Sequence, residues 1–376
     1  MIISLISQTA PSGESDPIGL IMNVLWIGLI VFSMFYGQKI QTWMMLREIS
    51  GALDRLTFLK NEARKVSIHT IKEIKKKDDQ DPSPRIDHFL EYFTILPVDL
   101  DPTGIVPKID HILNLREKRF EDEIRTMVPE ANEIEINNLE GVLETSVDLN
   151  EIFKIVRHFY LLGRKTMSLY VIMQVQMQLP LIMQIAEAYF AFCKAFADGQ
   201  PVGDGAGPLV VGKMMLGLEK KEVIKDTVSS ETNIDGREVI LVKAEGPGCS
   251  VGKPGEAIQK IIEEKKGKVS SIIMIDAAQK LEGEETGSTA EGVGPVIGGI
   301  GVEKYKIEEV ATKYKVPLEA VVIKQLLNEA ISPMLEEIYD GVDIASARVK
   351  RLIQERTKEG DTVIIAGIGN SVGIGQ

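Results

Sequence analysis

The chain has 376 residues, 44% of them apolar, with 43 Lys and Arg against 55 Asp and Glu for a net charge of −12. That length has room for two or more domains, and the acidic balance argues against general nucleic-acid binding, which needs a basic field. Two cysteines, Cys193 and Cys249, give no disulfide framework, and the four histidines (His69, His88, His111 and His158) all fall in the first half.

After a short tail, 1–16, the sequence runs PIGLIMNVLWIGLIVFSMFYGQ over 17–38 without a charge. That is long enough to cross a hydrocarbon core ~30 Å thick at ~1.5 Å per residue. Trp26 is central, and Phe35 and Tyr36 sit at one end, where an interfacial belt places aromatics. No basic segment precedes the run and no A-x-A-like site follows it, which argues against a cleaved signal peptide. Glu14 and Asp16 lie on one side; Lys39, Arg47, Arg55, Lys60, Arg64 and Lys65 follow on the other. The positive-inside rule therefore predicts a single-pass cell-membrane protein with its N-terminus outside and the bulk of the chain cytoplasmic.

Over 39–81 the apolar positions Met45, Ile49, Leu53, Leu56 and Leu59 keep helical spacing, predicting a juxtamembrane helix that leaves the bilayer and could pair with a second copy. It ends in KKKDDQDPSP, where Pro82 and Pro84 enforce a break. Lys75, Lys76 and Lys77 read as part of a solvated linker or as contacts to anionic headgroups. Residues 82–198 read as a helical domain, with helices over 108–127 and 149–198 and an acidic connector around Glu130–Glu144. Residues 166–186 are almost free of charge, but Gln174, Gln176, Gln178, Gln184 and Pro180 disfavour a second membrane span. Met167, Met173, Met177 and Met183 suit core packing or a protein partner at 166–186.

From 199 onward glycine rises and strands alternate with helices. REVILVK (237–243), VSSIIMI (269–275) and the terminal DTVIIAG read as strands; helices are predicted from Pro208, from Pro254 and around 304–314, with further signals over 316–356. The expected fold class is α/β: a three-layer domain with a mostly parallel sheet covered on both faces. In such folds sites collect where loops leave the carboxyl ends of strands. Val269–Ile275 delivers Asp276 toward a glycine-rich loop, as a working acid or as the N-cap of a following helix. Two nucleotide motifs fail on inspection. Gly246–Lys253 has Pro247 where the phosphate loop needs glycine, and Pro254 where it needs Ser or Thr. Gly367-Ile-Gly369-Asn-Ser-Val-Gly373 has its third glycine one residue late and no helix after it.

Taken in order, GDGAGPLVV, EGPGCSVGKPGEAIQKIIEE, SSIIMIDAAQKLEGEE and STAEGVGPVIGGIGVEKYKIEE resemble successive blocks of the spore germination protease family, whose fold the hydrogenase maturation endopeptidases share. Those proteins open with a strand and a G-x-GN turn before the first acid. Here the matching strand, Val363–Ala366 with Gly367-Ile-Gly369-Asn370, closes the chain, which implies a circular permutation. Permutation is physically allowed, since domain termini are often close together. The strand should then lie at the centre of the sheet, with its exit turn against the loop near Gly203. The whole chain also resembles an uncharacterised archaeal family of membrane proteins.

By this resemblance Asp204 and Asp276 are the two functional acids, with Glu291 and Glu245 in reserve, and Gly207, Pro208, Gly246, Gly248, Gly369 and Asn370 are ligand-binding positions. Two close carboxylates can split their pKa values and work as acid and base, or hold a divalent metal. The nickel-gripping histidine of the endopeptidases has no counterpart here, and no nucleotide is expected. The resulting expectation is a membrane-anchored cytoplasmic hydrolase, a peptidase using Asp204 and Asp276. The alternative is a non-catalytic membrane-tethered scaffold or peptide-binding protein on an inactive peptidase-like fold. Metal identity, substrate and oligomeric state stay open.

Overall fold

A computed structural model describes residues 17–75, 81–97, 104–299 and 301–375; the expected tail over 1–16, together with Lys76 and Lys77, lies outside them. The first half is helical: α1 (Pro17–Lys75), α2 (Ser83–Phe89), α3 (Ile105–Met127), α4 (Glu133–Thr166) and α5 (Leu169–Asp198). The apolar run and the juxtamembrane segment form the single helix α1, bent by 53° where Ile21–Met34 passes into Tyr36–Lys75. By length and composition α5 can also cross a membrane, and the bent α1 pair passes the same test taken together.

Two boundaries correct the sequence reading. The acidic connector around Glu130–Glu144 is the start of α4, not a link. Asn132 Oδ1 accepts from the Glu135 amide and Glu135 Oε2 accepts from the Asn132 amide, both at 2.9 Å, a reciprocal cap that satisfies two donors at the helix start. The expected long helix over 149–198 is broken at Met167, whose φ of +50° ends α4 before α5 begins.

The chain separates into two compact units. One comprises the described part of Met1–Asp54 together with Ile155–Pro180. The other comprises Arg55–Lys154 and residue 181 onward. In the second unit, Ile71, Ile86, Phe120, Ile124, Leu139 and Leu143 form a helical core. Phe120 meets Phe89 and Tyr92 edge-on at 4.5 and 4.8 Å between ring centroids, the geometry that aromatic quadrupoles favour.

The rest of this unit is a three-layer α/β domain. Its strands are β1 (Lys221–Ile224), β2 (Thr227–Ile234), β3 (Arg237–Ala244), β4 (Ser271–Gln279), β5 (Thr289–Val293), β6 (Leu318–Gln325) and β7 (Thr362–Gly367). Its helices are α6 (Ala206–Met215), α7 (Pro254–Glu264), α8 (Val302–Tyr314), the short α9 (Leu327–Ala330) and α10 (Glu336–Arg356). Sheet order is β1-β2-β3-β7-β4-β6-β5. Strand alternation sorts the core. Leu241, Ile273, Ile275, Val321 and Ile365 face α6 and α10, while Val242, Ile272, Met274 and Ile364 face α7 and α8.

The sheet is mixed rather than mostly parallel. Only the central β3-β7-β4-β6 run parallel, and β1, β2 and β5 close the edges antiparallel. The missed hairpin β2–β3 turns on Asp235-Gly236, with φ of +47° and +76°. An Asp-Gly pair is a strong sequence signal for this two-residue turn.

Candidate active site

The final strand β7 lies between β3 and β4, in the middle of the sheet. Its exit turn reaches the loop before α6. The Ile368 amide donates to Ile275 O at 2.8 Å, one residue before Asp276. The Asn370 amide donates to Asp204 Oδ2 at 2.8 Å. Asp204 sits in a 3₁₀ turn, Gly203–Gly205, that packs against β4. The turn is pinned from below: the Gly203 amide donates to Ser332 O at 3.1 Å, and Val202 bridges Pro333. Asp204 and Asp276 are thereby brought together at the carboxyl ends of the central strands.

Close backbone approach explains the glycines here. A Cβ on Gly367 would stand 2.5 Å from Gly207 O and 2.9 Å from Val211 Cγ2. A Cβ on Gly207 would reach within 2.9 Å of Ile368 N and nearer still to the Ile275 and Ile368 carbonyls. The first turn of α6 therefore rides directly on the exits of β7 and β4. Gly369 adopts φ +126° and has Asp204 O where a side chain would begin, a conformation that costs glycine least. Pro208 is buried in the first turn of α6. Gly246 packs against Ser371 O, and Gly248 faces Asn137. These positions shape the site by admitting neighbouring backbone.

Asp276 does not cap a helix, because β4 continues to Gln279 and Asp276 pairs with Val322 inside the sheet. It is 7% exposed, and its Oδ1 accepts from the Ala277 amide at 2.7 Å. Burial raises its pKa well above the usual carboxylate range, and the neighbouring Asp204 raises it further. Burial also raises Asp204, opposed by the Asn370 amide. One proton shared between two such carboxylates is the expected state, since like charges this close resist double ionisation.

The reserve acids are not part of this pair. Glu291 lies on edge strand β5 opposite Val321, in the row of Ile275, so alternation sends it to the opposite face from Asp276. There Arg348 Nη1 donates to it at 2.9 Å, and Arg351 engages it as well. Glu245 Oε1 accepts from Lys220 Nζ at 3.0 Å. Among the described residues one triple of acids comes within ligating range of itself: Asp110, Glu256 and Glu303. Lys306 Nζ fills it at 3.2, 2.6 and 3.0 Å. The Asp204–Asp276 pair alone is a poor cage for a hard cation, which takes six or more oxygens.

Next to the pair is a cavity of about 300 Å³ that the sequence reading missed. Asn370 lines it, and the amide of its side chain donates to Cys249 Sγ at 3.3 Å. The Cys249 amide in turn donates to Asn138 Oδ1 at 2.8 Å, so α4 roofs the loop after β3. Asn137, Glu140 and Glu144 project from α4 into the cavity opposite Lys225 and Lys253, where the backbone of Gly141 also lines it. Their spacing of three and four is one helix face, a polar stripe legible in the sequence. Burial, aided by Glu144 and Glu117, raises Glu140 to about 8; Glu144 is raised mainly by burial, with Arg116 opposing. Lys243, fully buried in β3, donates to Ala244 O at 2.8 Å, and burial lowers its pKa to about 8.

A search of the curated proteins returned no match. Two family models do match, and they meet near residue 200. Residues 23–199 match "Protein of unknown function (DUF1512) N-terminal domain", and residues 202–375 match "Domain of unknown function (DUF1512) C-terminal". With its helical first half and its α/β second half each matched by one of that family's two domains, the chain belongs to the DUF1512 family.

Proposed function

We propose that this protein is a membrane-attached hydrolase that cleaves an amide bond, with Asp204 and Asp276 as its acid–base pair. The observation that carries the reading is the placement of two carboxylates, Asp276 buried and Asp204 half-buried, beside each other at the ends of the central strands. Asp204, with the Asn370 amide stabilising its charged form, is the base that takes a proton from water. Asp276, raised by burial and by the neighbouring Asp204, keeps its proton and delivers it to the leaving nitrogen as the C–N bond breaks. The cavity walled by α4 lies one residue away, across Asn370, and offers amide and charged side chains to a polar substrate. The position of β7 between β3 and β4 is compatible with a permuted peptidase-like sheet.

Membrane attachment rests on residues 17–38. No charge interrupts them, and Ile21, Leu25, Ile27, Phe32 and Met34 are exposed on all sides of α1; such a helix needs an apolar surround. The basic residues after Lys39 favour a cytoplasmic α/β domain. The test is turnover of unfolded polypeptides and fluorogenic peptides by the reconstituted full chain. Asp204→Asn and Asp276→Asn should each lower it by at least ~10²-fold while circular dichroism stays native. Turnover equal to wild type in both variants sinks the proposal.

A further inference from the structure

The unit formed by 17–54 and Ile155–Pro180 carries charge unlike the rest of the chain. Against an overall −12, residues 17–47 and 155–180 contain no Asp or Glu, while Lys39, Arg47, Arg157, Arg164 and Lys165 supply five cations. The end of α4 and the start of α5 form a hairpin around Met167. Inside it, Val156, Ile172 and Leu179 are buried, and a Cβ on Gly163 would touch Ile172 Cγ1 at 2.6 Å. Outside it, Leu161, Leu162, Met167, Tyr170 and Met177 face solvent, Tyr170 at 65% and Met177 at 73%. Plain core packing, expected for this segment, holds only for the later part of α5, where Ala186, Cys193 and Phe196 are buried. That part packs on α4, with Cys193 Sγ donating to Val142 O at 3.8 Å. Length alone would let α5 span a bilayer, but its exposed stretch carries Gln174, Gln176, Gln178, Gln184 and Pro180, which disfavour a span.

The direction of α5 sets where the hairpin points. Gln176 Nε2 donates to Glu48 Oε2 at 2.8 Å, and Arg55 Nε donates to Glu187 Oε1 at 3.1 Å. Residue numbers rise together along both helices, so α1 and α5 run parallel. The hairpin turn, about nine residues before Gln176, reaches back along α1 toward Lys39, where the uncharged segment ends. At 1.5 Å per residue that is roughly 13 Å of helix.

We propose that the α4–α5 hairpin, residues 155–180, is a second membrane contact that rests on the cytoplasmic bilayer surface, with its apolar side chains at the acyl boundary and Arg164 and Lys165 among anionic headgroups. This rests on the reading that residues 17–38 lie in the bilayer. An apolar helical face edged by cations is the composition that binds such interfaces. Each cation near an anionic leaflet strengthens binding by about fivefold. The consequence is orientation: a second contact fixes how this unit is held at the membrane, where one helix alone leaves it free to swivel.

The test uses the full chain in vesicles of phosphatidylcholine with and without phosphatidylglycerol, read by quenching of single tryptophans with brominated lipids. The natural tryptophans are Trp26 and Trp43. The W43F variant reports on Trp26 and hence on the span; W26F/W43F/Y170W reports on the hairpin; W26F/W43F/L281W is the water-exposed control. The Y170W reporter should be quenched by shallow bromines when phosphatidylglycerol is present. Adding Arg164→Gln and Lys165→Gln should lower the docked-to-undocked ratio about 25-fold. A Y170W signal no more quenched than the L281W control, with Trp26 quenched normally, overturns the proposal and leaves the span intact. Blue-shifted but unquenched Y170W emission also overturns it, since a protein then covers the hairpin. Unquenched Trp26 removes the span reading and this inference with it.

Discussion

The close contact between α6 and β7 holds Asp204 in place, and Gly367→Ala perturbs it directly. Gly367 has ordinary strand backbone, so the substitution adds a methyl group and little else. That methyl would stand 2.5 Å from Gly207 O, against the 3.4 Å at which ordinary contact begins. The first turn of α6 must therefore retreat by about 0.9 Å, and the backbone it strikes has no rotamer through which to escape. Overpacking of this kind costs about 1–3 kcal/mol, or roughly 2–12 °C in melting temperature for a domain of this size. The 3₁₀ turn carrying Asp204 leads straight into α6, so the acid moves with it, and a ~1 Å misplacement of a working group can cost ~10²-fold in rate. Gly292→Ala is the control, because nothing lies within 4 Å of its added methyl; it should stay within about 0.5 kcal/mol of wild type. Urea titration and peptide turnover measure both effects. A Gly367→Ala protein as stable as the Gly292→Ala control would refute the close-approach argument. A destabilised one with full turnover would detach Asp204 from the chemistry.

Further outcomes test the electrostatics and the local structure. Asp276→Asn removes a buried carboxylate whose folded pKa lies above its unfolded one. It should raise stability at neutral pH while lowering activity, and the gain should vanish below about pH 4, where wild type is protonated in both states. Glu140→Gln should behave alike, its advantage in urea growing by about 1.4 kcal/mol per pH unit between about pH 4 and pH 8, then holding level, because burial places the folded pKa at about 8. Glu291→Gln should leave turnover unchanged and cost at most ~1 kcal/mol, since its arginine contacts are at the surface. Asn132→Ala removes the α4 cap and should cost about 1 kcal/mol by thermal melting.

The sequence alone determined what depends on local pattern. Continuous apolar, β-branched runs placed β3, β4 and β7, and helical spacing placed the run through Ile49, Leu53, Leu56 and Leu59, all buried on one side of α1. The resemblance to the germination protease family, carried by an acid after a glycine turn and by a strand ending in Gly-Ile-Gly-Asn, pointed to Asp204 and Asn370. Some errors had readable signals that were passed over: Asp235-Gly236 for the hairpin, and Asn132-x-x-Glu135 for the start of α4. Tertiary structure decided the rest. Whether an edge strand runs parallel depends on the partner it meets, so the mixed sheet could not be read from strand composition. The fate of Glu291 turned on sheet register, which sends adjacent residues to opposite faces. Most of all, the sequence distance from Asp204 to Asn370 carries no information about their hydrogen bond; the folded sheet makes it, by inserting the last strand between β3 and β4.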